Sequence, residues 1–180
     1  HSVVSWDFAM ANTPGWHTTI FPPYFVAGAI FSGLAMVITL CIPLRKIFKL
    51  EDYITMENFE GMSKMIILTS CIVFYAYLIE FFVAWYSGNK YEYDQFLYRA
   101  TGDYAFFYWT MMFCNGIVPH ALWFKKIRNN LVILFIISLL INIGMWFERF
   151  NIIVISLSKE FEPGSWGLYK PSWVELGITV

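Results

Sequence analysis

The chain has 180 residues, 58% of them hydrophobic, 21% aromatic and only 14% charged, with a mean hydropathy of +0.56. A soluble domain carries about 25% charged residues, so the composition indicates a polytopic membrane protein. A formal net charge of −1 excludes the basic surface that nucleic-acid binding requires.

Residues 1–21 mix apolar and polar groups. His1 to Met10 reads as the end of a helix, and Asn12-Thr-Pro14-Gly15 as a turn. The first apolar span covers about 22–44, with Pro22 and Pro23 in the first turn, where a missing N–H costs nothing. Gly28, Ala29, Ser32 and Gly33 form two small-x-x-x-small pairs, which predict close packing against a neighbour. A polar loop follows over 45–60, with Thr55 as a cap for the second span, 61–86. That span carries Glu80. Residues 87–102 read as a tyrosine-rich polar loop.

The third span covers 103–124, and Pro119 lies near its far end. A proline there leaves the Asn115 carbonyl without its helical donor and predicts a kink. Lys125 to Asn130 reads as a basic turn, and the fourth span is 131–157. A polar connection over 158–170 ends at Ser172 and Glu175, which have capping-box spacing. That last helix stops after about two turns, and the chain opens on His1 without a signal-peptide pattern. The expectation is an all-α transmembrane helix bundle, one membrane domain over 1–180. It would have four complete spans and truncated helices at both ends, as an interior piece of a larger subunit.

Orientation follows from the cations. Arg45, Lys46, Lys49, Lys64, Lys125, Lys126 and Arg128 gather on one side, against Lys90, Arg99, Lys159 and Lys170 on the other. The positive-inside rule puts the first set in the cytoplasm. Trp16, Trp85, Tyr86 and Trp166 then belong to the outer aromatic belt. Glu80 lies roughly 24 Å along its helix from the cytoplasmic side and Glu148 roughly 26 Å along its own. Asp7, His17 and Asp103 sit at outer helix ends, so the titratable groups converge on the outer leaflet.

Glu148 and Arg149 interrupt an otherwise apolar run, where each charge costs roughly 2.5–3.5 kcal/mol at mid-bilayer. They form either a structural clamp between helices or a proton or substrate site. Adjacent helix positions point about 100° apart, so each should find its partner on another helix, with Glu80 the candidate for Arg149. Cys41, Cys71 and Cys114 fall one per apolar run and lack the spacing of a metal or cluster site. His120 is alone well inside a complete span, so the chain does not supply the paired histidines of a membrane haem. Carboxylates, an arginine, histidines and aromatics around an outer-leaflet pocket suit a lipid-soluble quinol, whose oxidation releases two protons.

His1-Ser-Val-Val-Ser-Trp-Asp7-Phe-Ala and Pro14-Gly15-Trp16-His17-Thr-Thr-Ile-Phe-Pro22-Pro23-Tyr24-Phe25 resemble the NrfD-like, polysulphide-reductase membrane subunit family. Tyr77-Leu-Ile-Glu80, Ala84-Trp85-Tyr86-Ser87-Gly88-Asn89, Leu122-Trp123-Phe124-Lys125 and Met145-Trp-Phe-Glu148-Arg149-Phe extend the resemblance. It is greatest to the ActC-type subunit of bacterial alternative complex III. The resemblance implies a subunit of the bacterial inner membrane that oxidises quinol, menaquinol among the candidates. Electrons would pass to a periplasmic iron–sulfur protein and on to c-type cytochrome subunits, beside a second NrfD-like membrane subunit. No haem or iron–sulfur cluster would be held by this chain. Asp7 would be the catalytic carboxylate, with Trp16, His17 and Glu80 completing the quinol site. Glu80, Glu148, Arg149 and His120 would form a proton pathway. A transport reading, in which the same charges conduct protons or ions without a quinol site, stays open beside it.

Overall fold

A computed structural model describes residues 1–11, 13, 16, 18–158, 167, 169 and 172–179, and every regular element among them is helical. Helix α1 (Ser2–Ala9) leads to α2 (Phe21–Ile47), α3 (Met56–Tyr86), α4 (Lys90–Thr101) and α5 (Ala105–Met111). A short α6 (Lys125–Arg128) precedes α7 (Leu131–Phe150), the single turn α8 (Ser156–Ser158) and α9 (Trp173–Thr179). Phe21–Ile47, Met56–Tyr86 and Leu131–Ser158 are continuous helical stretches long and apolar enough to cross a bilayer.

The third expected span is not one helix. After α5 the chain makes a π-helical turn over Met112–Ile117 and then a 3₁₀ segment over Val118–Trp123. Pro119 is the cause: without an N–H it cannot close the bond to Asn115. That carbonyl lies 3.4 Å from the Ser70 hydroxyl of α3 instead. Asn130 starts α7 afresh, its Oδ1 accepting from the backbone of Val132 and Ile133 at 3.0 and 3.3 Å. Past Phe150 a second π turn, Asn151–Ile155, interrupts the fourth span.

Residues 87–102 also depart from expectation. They hold α4, whose start is capped by the Asn89 side chain accepting from the Tyr91 N–H at 3.1 Å. Gln95 and Arg99, one turn apart, are buried on its inner face. The Trp109 indole donates to the Ala100 carbonyl at 3.0 Å and fixes α5 to α4.

Helix α2 packs between α3 and α7. Their core is Phe31, Ala35 and Ile38 against Phe59, Ile66 and Ile67, and against Leu134, Ile137 and Ile141. Between lipid-immersed helices, packing and polar contacts supply the attraction. Asn142 Nδ2 donates to Thr39 Oγ1 at 3.1 Å, and that hydroxyl lies 2.9 Å from Ser138 Oγ, clamping α2 to α7. Of the small residues expected to pack, Gly28 does so, whereas nothing lies within 4 Å of a Cβ placed on Gly33. The basic segments meet at one end of the bundle, where Arg128 reaches Glu60 at 3.7 Å.

Candidate functional site

Glu148 is 1% exposed and is held from two other elements. Tyr77, on α3, donates its hydroxyl hydrogen to Glu148 Oε2. Asn115 Nδ2 lies 3.2 Å from the same oxygen, 3.2 Å from Tyr77 Oη and 3.4 Å from Met145 Sδ. Asn115 belongs to the π turn before Pro119, and the extra residue in such a turn re-aims the side chains around it. Gly144 makes room for it: a Cβ there would run into the Asn115 amide and the Cys114 side chain.

Among the described residues, none donates a hydrogen bond to the second carboxylate oxygen, Oε1. Arg149 pairs with it among the described residues, Nη2 to Oε1 at 3.9 Å. The Arg149 guanidinium lies 4.5 Å from the centre of the Phe25 ring, a cation–π contact. The expected Arg149–Glu80 pair does not form. Glu80 bonds Arg99 instead, with Nη1 to Oε1 at 2.9 Å, while Arg99 Nη2 donates to Ser156 Oγ at 2.8 Å. Arg99 lies on α4, an element that a polar-loop reading left out of range.

Trp16, Tyr24, Tyr77, Glu80, Arg99, Glu148 and Asn151 line one cavity. Its interior admits water-sized spheres over about 30 Å³, where a single water needs about 10–15 Å³. It therefore takes one or two waters and is too small for a quinol ring. The Trp16 indole closes one wall by donating to the Ile152 carbonyl at 2.9 Å, inside the second π turn. A second cavity of about 20 Å³ lies on the far side of Glu80 and Arg99, lined also by Thr18, Glu92 and Gln95. The Glu80–Arg99 pair is thus a shared wall.

The structure brings Trp16, Glu80 and Glu148 together and sets Arg149 beside them. Asp7 is on the exposed side of α1 and does not line the cavity. His120 lies in the 3₁₀ segment with its ring edge-on to Phe74, centroids 5.9 Å apart, away from the cavity. His17 lies outside the described residues. Tyr24, Tyr77, Asn115, Asn151 and Arg99 were not singled out by charge or spacing, although Tyr77 stands in the same quoted stretch as Glu80. Among the described residues, no group of three or more His, Cys, Asp or Glu side chains is arranged for a metal.

The family described as polysulphide reductase, NrfD, matches residues 1–158. The chain belongs to the NrfD family. NrfD subunits are membrane components of quinone-interacting redox complexes, and they typically pair with iron–sulfur electron-transfer subunits. The matched stretch contains every residue of the Glu148 network and both cavities. No curated protein matches this NrfD chain.

Proposed function

We propose that this NrfD subunit serves quinol oxidation in a complex of the alternative complex III type, in the bacterial inner membrane. Quinol gives two electrons to a periplasmic iron–sulfur protein, and thence to c-type cytochrome subunits, and releases two protons. The Glu148 network handles the protons. The observation that carries this reading is a fully buried carboxylate, bonded by Tyr77 and Asn115, beside a water-sized cavity walled by Glu80 and Arg99. Ionisable groups inside membrane helices are costly and usually functional. The route runs from Glu148 through the cavity to Glu80, then past Arg99 to the outer cavity.

The quinol ring has room elsewhere. A groove of about 490 Å³ between α1, α2 and α3 is lined by Trp6, Pro22, Pro23, Val26, Ile30 and Ile72, and sites for small ligands run from about 300 to 1,000 Å³. Asp7, the next residue after Trp6 on α1, is then the group that accepts a proton from the ring. The water-sized cavity itself favours a second reading, a proton-conducting subunit without a quinol site.

Two variants in the intact complex separate the readings. With Asp7 as acceptor, Asp7→Asn lowers quinol turnover by about 10²–10⁴-fold while assembly is preserved. Glu148→Gln impairs proton release most. Wild-type quinol turnover in Asp7→Asn, together with blocked proton movement in Glu148→Gln, selects the transport reading. Wild-type behaviour in both variants overturns the proposal.

A further inference from the structure

At the basic end of the bundle lies a concavity of about 330 Å³, formed between the end of α2 and the start of α7. Arg45, Lys46 and Glu51 line it together with Ile42, Val132 and Phe135. Its size is that of a ligand site, unlike the water-sized cavities near Glu148.

The charges around it are unusual in being unspent. Elsewhere at this end Glu60 holds Lys64 at 3.1 Å and Arg128 at 3.7 Å, and Arg128 also donates to the carbonyls of Leu122 and Trp123. Among the described residues, Arg45 has only a thioether for Nη1, Met56 Sδ at 3.9 Å, and its buried Nε has no hydrogen-bond partner. Glu51 reaches the same concavity because the chain reverses after α2. Lys49 adopts a positive φ of 53°, and the Leu50 N–H donates to the Arg45 carbonyl at 3.0 Å. Among the described residues, no ion pair joins Glu51 to Arg45 or Lys46. Two cations and a carboxylate thus surround one hollow, held apart from one another. The wall opposite is apolar, and from Val132 it continues along α7 through exposed Ile136, Leu139 and Ile143, spaced to share one face.

We infer that this hollow binds the headgroup of a phosphatidylethanolamine. The phosphodiester sits on Arg45 and Lys46, the ammonium donates to Glu51, and an acyl chain follows Val132, Ile136 and Leu139. The carboxylate decides the headgroup. Phosphatidylglycerol would bring a phosphate but no cation for Glu51, and a choline's trimethylammonium has no N–H to donate. Basic hollows at the cytoplasmic ends of spans are natural sites for lipid phosphates, and the added acid makes this one selective. The inference is independent of the quinol reading.

Native mass spectrometry of the detergent-solubilised complex, titrated with dioleoyl-phosphatidylethanolamine, -choline or -glycerol, tests it. Wild type should retain one equivalent of the ethanolamine lipid about tenfold more tightly than the choline lipid, the order expected for one charge-assisted hydrogen bond. Glu51→Gln should erase that preference while keeping lipid bound. Arg45→Gln with Lys46→Gln should lose the bound equivalent altogether. All three side chains lie at the bundle's end, and the melting temperature of each variant reports whether the fold survives. Equal retention of the ethanolamine and choline lipids by wild type overturns the inference. So does preference for the glycerol lipid, displacement by millimolar inorganic phosphate alone, or unchanged retention in folded variants.

Discussion

Tyr77 on α3 donates its hydroxyl hydrogen to Glu148 on α7, so the buried carboxylate is held across a helix interface, not by its neighbours on α7. Asn115 supplies the second donor to the same oxygen at 3.2 Å. In Tyr77→Phe, Glu148 loses this phenol donor and keeps the Asn115 amide. A hydrogen bond to a charged group is worth roughly 1.5–3 kcal/mol, and between membrane helices the measured contributions fall toward the lower end. The variant should therefore lower the unfolding free energy of the complex by about 1–2 kcal/mol. It should also shift the infrared carboxyl band that disappears in Glu148→Gln. An unmoved band would show that the phenol does not bond this carboxyl group.

Gly144 and Gly28 both face the network, but they leave different amounts of room. A Cβ on Gly144 would overlap the Asn115 amide, whereas one on Gly28 would meet Met145 Cε at 3.4 Å and Glu148 Oε1 at 3.7 Å, ordinary contact distances. Overpacking a tight site costs roughly 1–3 kcal/mol. Gly144→Ala should destabilise the protein by that amount and displace Asn115 from Glu148. Gly28→Ala should leave the melting temperature nearly unchanged. Equal melting temperatures for the two variants would contradict the close approach of the π turn to α7.

How much of this was legible depended on the kind of signal. Apolar runs located the long helices because a bilayer requires about 20 apolar residues, and residue counts placed Glu80 and Glu148 at similar depths, where they do line one cavity. Pro119 announced its break, but neither the π turn nor Asn115's new aim has a pattern in the chain. The second π turn, at Asn151, has no proline to betray it. Helix α4 does carry a start signal, since Asn89 followed three residues later by Glu92 is a helix-start signature. Its polar, tyrosine-rich face resembles a loop when judged by hydropathy, and with α4 went Arg99. The Arg149–Glu80 expectation failed for that reason, since depth along two helices cannot register a cation arriving from a third.

Arg99 is 8% exposed and joins Glu80 to Ser156, tying α4 to α3 and to the turn after the second π segment. Breaking a fully buried pair typically costs 3–5 kcal/mol. The Glu80 side chain is 27% exposed, and water can solvate the released carboxylate, so Arg99→Gln should cost less, roughly 1–3 kcal/mol. Adding Glu80→Gln should restore part of the loss, because the orphaned charge is then gone. A double-mutant cycle on thermal stability measures this coupling. Strict additivity would show that the two side chains do not share the wall between the cavities.

Pro119 offers the sharpest separation of stability from function. Its missing N–H leaves the Asn115 carbonyl to the Ser70 hydroxyl at 3.4 Å, and the π turn over Met112–Ile117 carries Asn115 to Glu148. Pro119→Ala returns a donor four residues after Asn115, so this stretch can close as an ordinary α-helix. The backbone then gains a bond while the Asn115 side chain rotates away from the carboxylate. Thermal stability should hold or rise, and proton release coupled to quinol oxidation should fall. Ser70→Ala supplies the control. In the parent protein it should cost about 0.5–1.5 kcal/mol, the usual net worth of a hydrogen bond. In the Pro119→Ala background it should cost much less, because the carbonyl has its helical donor back. Ser70→Ala costing the same in both backgrounds, or Pro119→Ala with parental proton release, would mean that the proline does not set the position of Asn115.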